Sequence, residues 1–292
     1  MIMAAGQHME IYTSDNLKDW KYESSFGEGY GNHGGVWECP DLMKLKVRGT
    51  NEEKWMLICN INPGGPFGGS ATQYFTGTFD GKKFICETAP EVTKWMDYGK
   101  DHYATVSFDN APDGRHVAIA WMSNWQYANQ VPTMQYRSAN SIARDLDLYE
   151  YAGQTYCGVT PSPEVTAARS KKTTKTLSDA CEVVVSLKGS STITLANDNG
   201  EKVVMTYDEK ARTFSMDRTK SGQKDFSDDF AALTTAPVHG KISQLRIFVD
   251  RSSIEAFDAE GRMAMTNLVF PTKPYNKITL TGKAKHVVYN LK

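Results

Sequence analysis

Short runs rich in Val, Ile, Tyr, Phe, Trp and Thr recur between turn signals along the whole chain, and no long stretch repeats its apolar residues at helical spacing. A chain written this way can bury its apolar faces only as sheets, so the fold class expected is all-β. Lys54–Asn60 and Arg115–Met122 read as buried strands, the second entered through the turn Pro112-Asp113-Gly114, and Met1–Ala5 reads as a third of the kind. The segment Ile11–Trp20 superposes on Phe75–Phe84 at an offset of 64, sharing an apolar start, an Asx-type turn and an aromatic end. A hairpin recurring at such a period suits the four-stranded blades of a β-propeller. Two ordinary hairpins that happen to match would look the same.

A shift in composition divides the chain. All six tryptophans (Trp20, Trp37, Trp55, Trp95, Trp121, Trp125) fall in the first 125 residues, and none follows Ala168. Gly158–Glu164 has the Pro/Ser character of a linker, expected over 158–168 between a first domain at 1–157 and a second at 169–292. In the second, alternating runs at Glu182–Leu187, Ser191–Leu195, Lys202–Tyr207, Leu245–Val249, Ser253–Phe257 and Lys277–Leu280 indicate a β-sandwich. With 33 Lys+Arg against 34 Asp+Glu and no block of like charge, neither a nucleic acid nor a membrane is an expected partner. The five cysteines form no C-x-x-C, and the six histidines show no metal-ligand spacing, so no cofactor or metal is expected. Met1–Ala5 is too short an apolar run for a signal peptide.

The densest chemistry lies in Gly31–Leu42, where Glu38 stands beside a tryptophan and a cysteine and Pro40 precedes Asp41. An aromatic, partly apolar surround favours the protonated carboxyl, which suits a proton donor. From the residues alone, a surface loop with an incidental glutamate is the simpler alternative. The glycine-rich loop Asn62–Ser70 lacks the Gly-Lys-Ser/Thr of a phosphate cradle and reads as a rim or blade loop.

Trp37-Glu-Cys-Pro-Asp-Leu42 resembles the signature of glycoside hydrolase family 32, the fructan hydrolases and invertases. Further stretches resemble the same family in order: Gly68–Ser70 with Tyr74–Gly81, Asp97–Ala104, Trp121–Tyr127, Pro132-Thr133 with Arg144–Leu146, Met216–Gly222 and Leu245–Phe257. The resemblance implies a five-bladed propeller followed by a β-sandwich, acting on β-fructosyl bonds of fructans or sucrose with retention. It implies Glu38 as the general acid/base, Cys39 and Asp41 as support for it, and Trp37, Asp101 and Trp125 as substrate-binding residues. Asp101 and Trp125 also fit a turn carboxylate and a core tryptophan.

The sequence departs from the family in one respect. The nucleophile belongs to an Asn-Asp-Pro-Asn-Gly motif and a supporting aspartate to Arg-Asp-Pro, and this chain has no Asp-Pro pair; its one Arg-Asp, Arg144-Asp145, precedes leucine. The expectation is therefore roughly the last two and a half blades of the propeller, with the general acid/base but without the nucleophile. The chain would be a fragment, or would work with the missing N-terminal propeller portion as a separate partner. The alternative function is a catalytically incomplete fragment or a carbohydrate-binding or interaction module. Exported relatives favour an extracytoplasmic site for the intact protein.

Overall fold

The computed structural model describes residues 1–108 and 110–292. The first sheet is a meander of Ile2–Ala4, Met9–Thr13 and Lys21–Phe26. The second runs Val36–Lys46, Glu53–Asn62, Ala71–Phe79 and Phe84–Cys86, with Lys94–Trp95 also paired to Ala71–Phe79. The third is built on Tyr103–Phe108, His116–Met122, Arg144–Tyr151 and Gln154–Pro161, with Ala139–Asn140 beside His116–Met122. Each is an antiparallel meander of neighbours in sequence, which is how a propeller blade is made. Among the described residues two of these sheets have five strands, counting the two-residue ones, and the first has three.

The sequence repeat has a local physical cause. Asn16 Oδ1 accepts hydrogen bonds from the amides of Lys18 and Asp19, both at 2.9 Å. Asp80 Oδ1, 64 positions on, accepts from Lys82 and Lys83 at 2.8 and 2.7 Å. The next residue is left-handed in each copy: Leu17 at φ 60° and Gly81 at φ 95°. Equivalent side chains thus close equivalent hairpins.

The strands from Arg169–Thr174 to Lys277–Leu291 pair into one nine-stranded sheet, which makes the sandwich. Its organising strand, Cys181–Ala196, pairs with Gln244–Val249 through its first half, with Lys202–Asp208 through its second, and with Lys277–Leu291 along both. The register shifts between Leu187 and Ser191, next to Gly189 at φ 103°. Opposite lies Gly282 at φ 79°, where a Cβ would stand 2.5 Å from the Ser190 carbonyl oxygen. The two glycines let one strand pair bend and serve both layers, with Val183, Val185, Ile193, Leu195, Met205 and Ile247 buried between them. Two runs that the sequence separates at Lys188–Ser190 are therefore one bent strand.

The stretch expected as a linker is regular instead. Gly158–Pro161 completes the last propeller strand, paired to Arg144–Asp147, and Pro163–Ala167 is a short helix with Pro163 at its first position. Arg48 and Asp147 form an ion pair against Gly158, and Arg48 also reaches the Glu260 carbonyl of the sandwich. A continuous core joins Leu45, Met56 and Leu148 of the propeller to Phe257 and Ala264 of the sandwich. Residues 98–101 run along the strand Ala264–Leu268: Tyr98 N donates to Ala264 O at 2.9 Å and Asp101 N to Thr266 O at 3.1 Å. Gly99 is required here, since a Cβ would fall 1.8 Å from the Thr266 oxygen.

A buried histidine, His102, and a half-buried one, His239, at this seam make the fold acid-sensitive. Burial and the Arg144 charge push His102 down to about 3; burial, Arg262 and Lys94 push His239 down to about 4. Both are neutral when folded and take up protons near 6.5 when unfolded, so their contribution is complete above pH 6.5 and declines as pH falls towards 4. We expect His102 alone to remove about 2–3 kcal/mol between those pH values, and the half-exposed His239 less. Urea unfolding at pH 6.5 and 4, compared with His102→Gln, measures this; an equal loss in the variant would reject it.

Candidate active site

Strand Val36–Lys46 carries the central carboxyl, and alternation decides what faces where. Trp37 points into the blade, 1% exposed, stacked on His33 and donating its indole N–H to the Asn32 carbonyl at 2.9 Å. Glu38, next in line, faces the open side. Between Glu38 and Asp41 the register against Glu53–Asn62 shifts, and Cys39 sits at φ 45°. This bulge holds the acid at a break in the ladder.

Three fastenings fix the bulge. The Tyr103 hydroxyl donates to Glu38 Oε2, and burial together with the Glu38 hydrogen bond and charge holds that phenol firmly protonated. Asp41 Oδ2 accepts from the Ser107 amide at 2.7 Å, so the bulge is tied to the strand that carries Tyr103. Asn60, fully buried, uses all four of its positions. Its amide donates to the Cys39 and Thr105 carbonyls at 3.3 and 3.2 Å, and its oxygen accepts from Thr72 Oγ1 and Thr105 N at 2.6 and 3.0 Å. Burial and the neighbouring Glu38 charge raise the Cys39 thiol, which leaves it a poor nucleophile.

Aromatic rings extend from this point. Tyr103 meets Trp121 edge to face at 6.2 Å between centroids, and Trp121 meets Trp125 at 5.0 Å. Trp125 is 53% exposed, so part of its ring is open to solvent. Its amide donates to Ser70 Oγ at 3.1 Å, and the buried Asn124 amide donates to the carbonyls of Gly68 and Lys100. The glycine-rich loop therefore braces the tryptophan loop.

The structure corrects two of the expected substrate-binding residues. Asp101 is 0% exposed, and its carboxylate is taken by Arg218 of the sandwich, the Tyr127 hydroxyl at 2.6 Å and the Leu268 amide at 2.8 Å. Trp37 has its faces covered within the blade. Neither can touch a ligand; both are scaffold. Glu38 and Asp41 are both tied to the strand Tyr103–Phe108 with Cys39 between them, and Trp125 connects to Glu38 through Trp121 and Tyr103. Tyr103 and the buried Asn60 hold this arrangement without having been singled out. Tyr103 lies inside the quoted Asp97–Ala104 stretch, and its place opening a strand is the signal that was available. Among the described residues no group of three or more His, Cys, Asp or Glu side chains assembles as a metal site.

An exposed carboxyl fixed by a tyrosine hydroxyl on a propeller face, flanked by tryptophans and backed by a β-sandwich, has the build of a sugar-processing glycosidase. The chain belongs to glycoside hydrolase family 32: the model of the family's N-terminal domain matches residues 1–158 and that of its C-terminal region matches 148–292. It is 40% identical to a levanase of Bacillus subtilis (strain 168), over 94% of this chain and 44% of the levanase. It is 35% identical to the extracellular exo-inulinase inuE of Aspergillus niger, over 94% of this chain and 58% of that one. The crystal structure of an exo-inulinase from Aspergillus awamori superposes with a TM-score of 0.90 at 32% identity, covering all of this chain and 64% of the other. The chain thus spans about half the length of the curated relatives it matches.

Proposed function

We propose that this chain supplies the acid/base half of a retaining glycosidase acting on β-fructosyl bonds of fructans or sucrose, with Glu38 as the general acid/base and the nucleophile outside the sequence. In this reading residues 1–157 are the catalytic half, 158–168 the joint and 169–292 the supporting sandwich. The observation that carries it is Glu38 held on an exposed bulge by Tyr103 beside Trp121 and Trp125.

Retention requires two carboxyl groups about 5–5.5 Å apart. One attacks the anomeric carbon of the fructosyl unit while Glu38 gives its proton to the departing oxygen. Glu38, now ionised, then takes a proton from water, whose oxygen displaces the enzyme carboxylate and frees fructose. The Tyr103 hydroxyl holds the Glu38 oxygen in place through both steps. The Trp125 face offers C–H contacts to a sugar ring, leaving the hydroxyls to polar groups around it.

Asp41 is bonded to Ser107 and Asp101 to Arg218, so neither stands free to attack. This favours a second reading, in which the chain by itself binds fructosyl sugars without turning them over. We further propose that the partner completing the site is a propeller portion bearing the two absent aspartate motifs, and that the assembled enzyme works outside the cell, as the name of the Aspergillus niger relative suggests.

Free fructose released from levan, inulin and sucrose separates the readings, measured for this chain alone and together with a polypeptide carrying Asn-Asp-Pro-Asn-Gly and Arg-Asp-Pro. Turnover only in the mixture is the expected result. Turnover by the chain alone would place a nucleophile within it, and no turnover in an assembled mixture would reject the enzyme reading.

A further inference from the structure

Glu38 and the sandwich are connected through one short segment. Residues 97–101 follow the strand Lys94–Trp95 and lie along Ala264–Leu268, and just beyond them stands Tyr103, the tyrosine that holds Glu38. The segment is fastened along its length. Asp97 Oδ1 accepts from the amides of Thr266 at 2.8 Å and Gly99 at 2.7 Å. Asp97 Oδ2 accepts from Thr266 Oγ1 at 2.7 Å and from Arg144 Nη1 at 2.8 Å. The amides of Tyr98 and Asp101 donate to the Ala264 and Thr266 carbonyls, and that of Lys100 donates to Asn267 Oδ1 at 3.0 Å. Thr266 and Asn267 are themselves fully buried, so these bonds meet no competition from water.

Two parts of the site depend on this segment. Its end leads through the buried His102 into Tyr103, whose hydroxyl donates to Glu38. Its middle carries the tryptophan loop: Lys100 O accepts from Asn124 Nδ2 at 2.9 Å, and Asp101 Oδ1 accepts from the Tyr127 hydroxyl at 2.6 Å, on either side of Trp125. Tyr103 and Trp125 thus take their places from one stretch whose own partner is a strand of the sandwich. Such placement matters for rate, since a shift of about 1 Å caused far from the chemistry can cost roughly 10²-fold.

We propose that Thr266 and Asn267 of the sandwich are positioning residues for Glu38: by fixing residues 97–101 they set the direction from which Tyr103 holds the carboxyl. They act through Tyr103 and touch no substrate. The proposal rests on the reading of Glu38 as the general acid/base. The sandwich is then part of what aims the acid, and loosening its strand at Thr266 or Asn267 disturbs the chemistry before it disturbs the fold.

The test follows the ¹³Cζ NMR signal of Tyr103 in this chain. Glu38→Gln exchanges a charged acceptor for a neutral one and should move that signal. In a Thr266→Val background, which keeps the shape and removes the hydroxyl, most of this response should be lost, and Thr266→Ser should retain it. Asn267→Ala, which removes the acceptor of the Lys100 amide, should also diminish it, and it decides the matter if Thr266→Val does not fold. Tyr149→Phe removes a hydrogen bond to His239 at the same seam, away from the segment, and should leave the response whole. In the mixture with a polypeptide that carries the nucleophile motif, Thr266→Val should lower kcat about tenfold with little change in KM. No response of Tyr103 to Glu38→Gln, a full response in both Thr266→Val and Asn267→Ala, or an equal loss in Tyr149→Phe overturns the proposal. No fructose from the mixture, with the Tyr103 responses as expected, overturns the acid/base reading and leaves the positioning of Glu38 by the sandwich standing.

Discussion

Arg218→Met is expected to cost about 3–5 kcal/mol of folding stability, because it strands a charged Asp101 in the seam between propeller and sandwich. Arg218 is 0% exposed and lies on Phe230 at 4.0 Å. Besides Asp101, it donates to the Phe230 carbonyl at 2.8 Å, the Leu268 carbonyl at 2.9 Å and the Tyr127 hydroxyl at 2.8 Å. Methionine fills much of the volume and supplies none of these donors. The double variant Asp101→Asn with Arg218→Met removes the buried charge and should recover part of the loss. Guanidinium unfolding followed by tryptophan fluorescence and by far-UV CD measures both effects. All the tryptophans lie in the propeller half, so the fluorescence transition should move ahead of the CD transition once the seam fails. A loss below about 1 kcal/mol, the range of surface ion pairs, would show that the seam does not depend on this pair.

Arg218 also marks where a sequence stops being legible. In Thr213–Lys220 it follows Phe214 and Met216 on the buried face, so period two already places a cation in a core. What alternation cannot supply is the partner, a carboxylate 117 residues away in the other domain. Asp101 is the same problem seen from the other side: its motif suggests a pocket, and only the docking of residues 98–101 on Ala264–Leu268 reveals it as scaffold. Trp37 was within reach, since the rule that exposes Glu38 turns its neighbour inward. The hairpin repeat was readable because Asn16 and Asp80 act on amides two and three residues away. Asn60 was not, because its four bonds join three segments that are distant along the chain.

Glu38→Gln is expected to lower fructan turnover by at least about 10²–10⁴-fold in the chain assembled with a polypeptide that carries the nucleophile motif. Glutamine keeps an oxygen for the Tyr103 hydroxyl, so the bulge and its fastenings on Asp41 and Asn60 should persist, and binding should change far less than turnover. What is lost is the proton. Two measurements distinguish this from a structural defect. An aryl β-fructoside, whose leaving group needs little protonation, should recover its first step, visible as a burst of released phenol before slow hydrolysis. Azide, a nucleophile that needs no base to activate it, should then restore turnover and yield a fructosyl azide, whereas a collapsed site would respond to neither. Tyr103→Phe leaves Glu38 able to exchange its proton but free to wander, so it should lower turnover less than Glu38→Gln does and should gain nothing from azide. Wild-type turnover in Glu38→Gln would move the acid/base to another residue. Full loss without rescue would make Glu38 a binding or folding group, and the retaining mechanism would lose its acid.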